Sequence, residues 1–80
     1  RRFEQLKPEE LVVMQGVIDG QLNKMIAKEL SISLRTVETR RHNVLEKVGV
    51  ASVPELVRIY VELEQVLGQT PFQYLMNLAD

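Results

Sequence analysis

Arg35, Glu38, Thr39 and His42 recur at three- and four-residue intervals in the stretch SISLRTVETRRHNVLEKVGV, Ser31 to Val50. On a helix this spacing gathers the four side chains on one face. Their chemistry suits reading a surface more than breaking a bond. A guanidinium matches the acceptor pair of guanine, a carboxylate accepts from cytosine N4, and the threonine methyl can meet that of thymine. His42 also invites a catalytic or metal-binding role, but the chain has no Cys and no second His. Its nearest acid in sequence, Glu46, sits one turn away on an exposed face, so neither role finds partners. Glu9-Glu10 and Glu62-x-Glu64 are the carboxylate pairs on offer, and helix-end electrostatics and a solvated face account for them. With no glycine-rich phosphate loop and no nucleophile constellation, an enzyme is not expected, and no metal, cofactor or small-molecule substrate is implied.

The chain that must position these side chains has 80 residues, enough for one domain with one core. It is 45% hydrophobic and 26% charged, the composition of an ordinary globular protein. The lack of cysteine removes disulfides and thiolate sites. No apolar run approaches the roughly 18 residues of a membrane span, and Arg1-Arg2-Phe3-Glu4 lacks the apolar core of a signal peptide. A soluble, cytoplasmic protein with no membrane partner is expected. The net charge of −1 conceals an uneven distribution. Residues 21–50 carry six cations and three anions, whereas residues 51–80 carry one and four. A local basic face of this kind is the footprint of a nucleic-acid binder even where the whole chain is slightly acidic.

The pattern along the chain is helical throughout. Pro8 stands where a first-turn proline is tolerated, Glu9 and Glu10 complement a helix N-terminus, and Val13, Met14, Val17 and Ile18 repeat as one apolar stripe. Asp19-Gly20 closes that helix. Asn23 can cap a second helix of about two turns, Lys24 to Leu30. Ser33 opens the third, which runs to Gly49 as its C′ residue. Ser52-Val53-Pro54-Glu55 reads as a capping box for a fourth that ends at Gly68. Thr70-Pro71-Phe72-Gln73 repeats the cap pattern and allows one more short helix. The expected fold is all-α: four helices, with a short fifth at the C-terminus.

The second and third helices, joined by a tight turn, match the helix-turn-helix plan, in which the second of the pair enters the DNA major groove. Ile26, Leu30, Ile32 and Val37 would hold the pair at a steep angle, with small Ala27 at their closest approach. Ser31 stands where many such motifs use Gly, so a left-handed backbone there would be less comfortable. From Leu6 to Val57 the chain resembles the LuxR-type helix-turn-helix domain, the output domain of FixJ- and NarL-like bacterial response regulators. The most specific pieces are NKMIAKELSIS and RTVETRRHNVLEKVGV, followed by S and ELV. The resemblance implies four helices, the third a DNA reader and the fourth a contributor to a dimer, behind a receiver domain of which nothing is seen in this chain. It divides the chain into the end of an interdomain linker (1–6), the DNA-binding domain (7–68) and a C-terminal extension (69–80). Leu6-Lys7-Pro8-Glu9-Glu10 replaces the family's L-T-x-R-E opening, which predicts a less well-capped first helix.

With Val37 as the reference and about 100° per residue, Leu34, Arg41, Val44, Leu45 and Val48 form the core stripe of the third helix. Arg35, Glu38, Thr39 and His42 face outward and are the expected base readers. Phosphate contacts are expected from Asn23 and Lys24 at the start of the second helix, from Ser33 and Thr36 at the start of the third, and from Arg40 and Lys47 beside the groove. Arg41 falls on the core side and needs a partner, for which Glu10 is the expected acid, giving a structural Glu10–Arg41 pair.

The fourth helix carries more apolar residues than one core face requires. The surplus at Val57, Ile59, Tyr60, Val61 and Val66 points to a dimer surface, unless Phe72, Tyr74, Leu75 and Leu78 of the tail fold back over it. The leading expectation is therefore a transcription-regulating domain that binds double-stranded DNA, dimeric on DNA and controlled by an upstream receiver or sensor. The rival is a helical protein-interaction module acting through the fourth helix and tail.

Overall fold

The computed structural model describes residues 2–79. A short 3-10 turn, Arg2–Gln5, precedes five helices: α1 Pro8–Ile18, α2 Asn23–Leu30, α3 Leu34–Val48, α4 Val53–Leu67 and α5 Pro71–Ala79. No strand occurs among the described residues, so the all-α expectation holds and the short fifth helix is present.

Four of the five helices begin at a side-chain cap. Lys7 offers α1 no acceptor, and the Glu10 carboxylate supplies one instead, taking the Lys7 backbone N–H at 2.9 Å. Ser33 caps α3 by accepting from Thr36 N–H at 3.0 Å. Ser52 and Thr70 do the same for α4 and α5, at 3.4 and 3.2 Å. Glu55 reaches back to Ala51 N–H at 3.0 Å, one residue earlier than a capping box requires. Asn23 departs from expectation, because α2 starts at Asn23 itself and its N-cap residue, Leu22, makes no side-chain hydrogen bond. The amide of Asn23 is used across the motif instead, as described below.

Between α2 and α3 the backbone turns at Ser31, which adopts the left-handed conformation with φ 57° and ψ 44°. Ile32 N–H then bonds Ala27 C=O at 3.0 Å and closes the helix end. Serine thus carries a backbone geometry that glycine adopts more cheaply.

The helices wrap a core in which Leu11, Val13 and Met14 of α1, Ile26 of α2, Val37 and Val44 of α3 and Leu56 of α4 are almost fully removed from water. Gly16 allows α1 and α2 to close: a Cβ there would lie 2.9 Å from two carbons of Ile26, nearer than side chains pack. Leu34, expected in the core stripe, is 46% exposed. It is the first residue of α3, and helical side chains lean toward the N-terminus, so it projects past the end of the packed layer.

Both ends of the described chain join this core. Phe3 and Leu6, in the stretch expected as the end of a linker, are buried, and their 3-10 turn packs against α3. The extension forms α5, which lies on α1 and α4 with Pro71 and Leu75 buried. Helix α5 also closes over Tyr60, whose hydroxyl donates to Gln15 Oε1 at 2.7 Å and lies near the backbone N–H of Phe72. One phenol therefore ties α1, α4 and α5 together.

Candidate nucleic-acid interface

Helix α3 has two kinds of surface. Val37, Val44 and Val48 seat it against the core, and Arg35, Glu38, Thr39 and His42 all lie exposed on the far side. Thr36, Arg40 and Asn43 occupy the flank between them and are half-buried. Along this flank runs a cleft of about 300 Å³, walled on one side by Lys7, Glu9 and Glu10 and on the other by Arg35, Thr36, Thr39, Arg40 and Asn43. It brings two of the expected base readers and two of the expected phosphate contacts into one concavity. Lys7 and Asn43 are additions that sequence reasoning missed. Asn43 follows Thr39 by four residues, a helical spacing that could have signalled it. For Lys7 no local signal exists, since only the packing of α1 on α3 brings it there.

One expected contact is otherwise engaged. The Lys47 ammonium donates to both oxygens of Glu10, at 2.8 and 3.1 Å, and this ion pair removes it from the set of free cations beside the groove. The expected Glu10–Arg41 pair is therefore corrected: Glu10 pairs with Lys47, and Arg41 Nη1 donates to Asn23 Oδ1 at 2.8 Å. The reason is rotational. Lys47 lies on the flank of α3 that faces the start of α1, whereas Arg41 lies on the flank facing α2.

Glu10 is buried, and desolvation alone would raise its pKa. Hydrogen bonds from Lys47 and the Lys7 N–H, with the charges of both lysines, outweigh burial and hold it below the ordinary carboxylate value. The acid is ionised at neutral pH and cancels one lysine in the cleft. Lys7, Arg35 and Arg40 remain as its cationic rim, facing Glu9 as the other acid.

Lys24 is exposed at the start of α2, beside half-buried Asn23. The Ser33 and Thr36 hydroxyls meet at 2.8 Å, so the two residues form one small polar cluster at the head of α3. Among the described residues no group of three or more His, Asp or Glu side chains could hold a metal ion. No described helix is long and apolar enough to cross a membrane.

The expected dimer residues do not form one face. Tyr60 is buried, 4% exposed, beneath α5 and is withdrawn from that surface. Ile59 is half-buried against the core. Val57 and Val61 stand one turn apart on one side of α4, with Val61 41% exposed, and Val66, 82% exposed, lies on the other side. Tyr60 is thus covered, Val57 and Ile59 are half-buried, and only Val61 and Val66 of the five stand in solvent.

Residues 4–60 match the family described as bacterial regulatory proteins, luxR family. The response regulator protein TmoT of Ectopseudomonas mendocina is 43% identical over 65 residues, covering 81% of this chain and 30% of that protein. The transcriptional regulatory protein FixJ of Bradyrhizobium diazoefficiens is 48% identical over 58 residues, covering 72% and 28%. The response regulator protein TodT of Pseudomonas putida is 42% identical over 65 residues, covering 81% and 29%. The chain spans less than a third of the length of these relatives. No solved structure gives a significant match.

Proposed function

The chain belongs to the luxR family of bacterial regulatory proteins, and on that premise we propose that it is the DNA-binding output domain of a response regulator, reading duplex DNA with α3. The observation that carries this reading is the exposed row Arg35, Glu38, Thr39 and His42, set beside a cleft rimmed by Lys7, Arg35 and Arg40. In the major groove Arg35 would address guanine, Glu38 a cytosine amino group and Thr39 a thymine methyl, with His42 at the edge of the read sequence. Lys24, Arg40 and Lys7 would meet phosphates as charges, and Asn23, Ser33 and Thr36 as neutral hydrogen-bond partners.

The relatives named response regulators support an upstream receiver domain as the controlling partner and the cytoplasm as the site of action. A homodimer on DNA would use the Val57 and Val61 stripe of α4, which α5 leaves uncovered. Two recognition helices would then address half-sites related by two-fold symmetry.

Fluorescence anisotropy with duplex DNA across a salt series tests the reading, with Arg35→Ala and Thr39→Ala beside the wild type. The expected result is steep salt dependence in the wild type and loss of affinity or of sequence preference in both variants. Binding that is salt-insensitive or absent, and unchanged by either substitution, would refute it. Val61→Glu tests the dimer: it should lower affinity for a two-half-site duplex and leave binding to a single half-site intact.

A further inference from the structure

Arg41 is half-buried in the elbow between α2 and α3 and donates from Nη1 to Asn23 Oδ1 at 2.8 Å, joining residues 18 apart in the chain. A guanidinium carries donors only, so it accepts just one orientation of the asparagine amide, oxygen inward. The Nδ2 group, with its two N–H donors, is thereby turned away from the Arg41 guanidinium, and it meets no acceptor among the described residues. Beside it stands exposed Lys24, so the two neighbouring side chains present donors alone. Without Arg41 the amide could rotate by half a turn and offer its oxygen, which a phosphate repels.

We infer that Arg41 is a positioning residue for DNA binding: its hydrogen bond fixes the Asn23 amide so that Nδ2 donates to a backbone phosphate. The inference rests on the DNA-binding reading above. It assigns Arg41 no DNA contact of its own, which separates it from a plain cationic contact. A neutral amide that bonds a phosphate displaces no counterion, so losing it weakens binding without changing the salt slope. Loss of a guanidinium that itself neutralised a phosphate would lower the slope by about one.

The 80-residue chain and a random-sequence DNA duplex suffice for the test, read by anisotropy over a salt series. Arg41→Met and Asn23→Ala are each expected to lose about tenfold in affinity, the size of one hydrogen bond to a charged acceptor. The double variant should lose no more than either single one, because both remove the same contact. Salt slopes should all match the wild type. Asn23→Asp keeps the acceptor that Arg41 needs, so it should melt no lower than the wild type and yet bind DNA more weakly than Asn23→Ala.

Where Arg41→Met does not fold, Arg41→Lys takes its place. Its ammonium is also donor-only, and it should retain more affinity than Asn23→Ala, with an unchanged slope. Wild-type affinity in Arg41→Met or Asn23→Asp, fully additive losses, or a slope lowered by about one in an Arg41 variant would each overturn the inference. If those outcomes occur while Arg35→Ala still weakens binding, only this inference falls. If the wild type does not bind duplex DNA, the DNA-binding reading falls with it.

Discussion

The Glu10 carboxylate and the Lys47 ammonium meet at 2.8 Å across the α1–α3 junction, with the Glu10 side chain 5% exposed and that of Lys47 30%. The same carboxylate caps α1 through the Lys7 N–H. One acid thus starts α1 and also ties it to α3.

Removing Lys47 would leave the charge of buried Glu10 compensated by Lys7 alone. Lys47→Met is expected to cost about 2 kcal/mol, less than a fully buried pair because the lysine is partly solvated. Urea denaturation at neutral pH checks it. The folded-state pKa of Glu10 is depressed, so the pair's contribution is complete above the unfolded carboxylate value and fades as pH falls through the folded one. The gap in melting temperature between wild type and Glu10→Gln should accordingly be constant near neutrality and narrow below about pH 4. A gap that persists in acid would show that the pair is not its source.

Tyr60 is expected to matter through its oxygen as well as its ring. Tyr60→Phe keeps the packing but strands Gln15 Oε1, at a cost of about 1–2 kcal/mol. Hydrogen exchange should show α5 amides losing more protection than those of α3. Equal losses in both helices would mean that the phenol does not hold α5 specifically. Burial, with the charges of Glu64 and Asp19, raises the Tyr60 pKa against the lowering effect of the Phe72 N–H. Its contribution is therefore complete below the unfolded phenol pKa and lost as pH rises through the folded one.

Ser31→Gly should stabilise the domain by up to about 1.6 kcal/mol. Relief of the left-handed serine is worth about 1–2 kcal/mol, and the added freedom of the unfolded glycine chain offsets about 0.4–1 of it. Thermal melts decide the sign, and a lower melting temperature would contradict the strain argument.

Lys7→Ala is expected to weaken DNA binding about equally for all sequences and to lower the salt slope by about one, as befits a phosphate contact on the cleft rim. Arg35→Ala should instead alter the preference among sequences, at about 1–3 kcal/mol for the favoured base. Comparing the two variants on matched and scrambled duplexes separates positioning from reading.

Much of this molecule was legible in the chain itself because the signals are local. Ser33, Gly49, Ser52 and Gly68 mark helix ends through their own backbone and side-chain chemistry, and 3.6-residue periodicity is enough to turn Arg35, Glu38, Thr39 and His42 outward. The resemblance to the family rests on residues in order, which the sequence shows directly.

Partner choice between helices was decided elsewhere. Glu10 pairs with Lys47 and Arg41 with Asn23, a distinction that turns on the rotation of α3 against two neighbours at once. Arg41 and Lys47 stand about 120° apart around α3, and which neighbour each meets is set by how α3 docks on both, which no local rule gives. Lys7 enters the cleft, Tyr60 leaves the surface and Phe3 and Leu6 join the core for the same reason. Local sequence determined four helices and the outward row on α3 and allowed the fifth helix; the packing of α1, α3 and α5 around a shared core decided which charges stayed free to meet a partner.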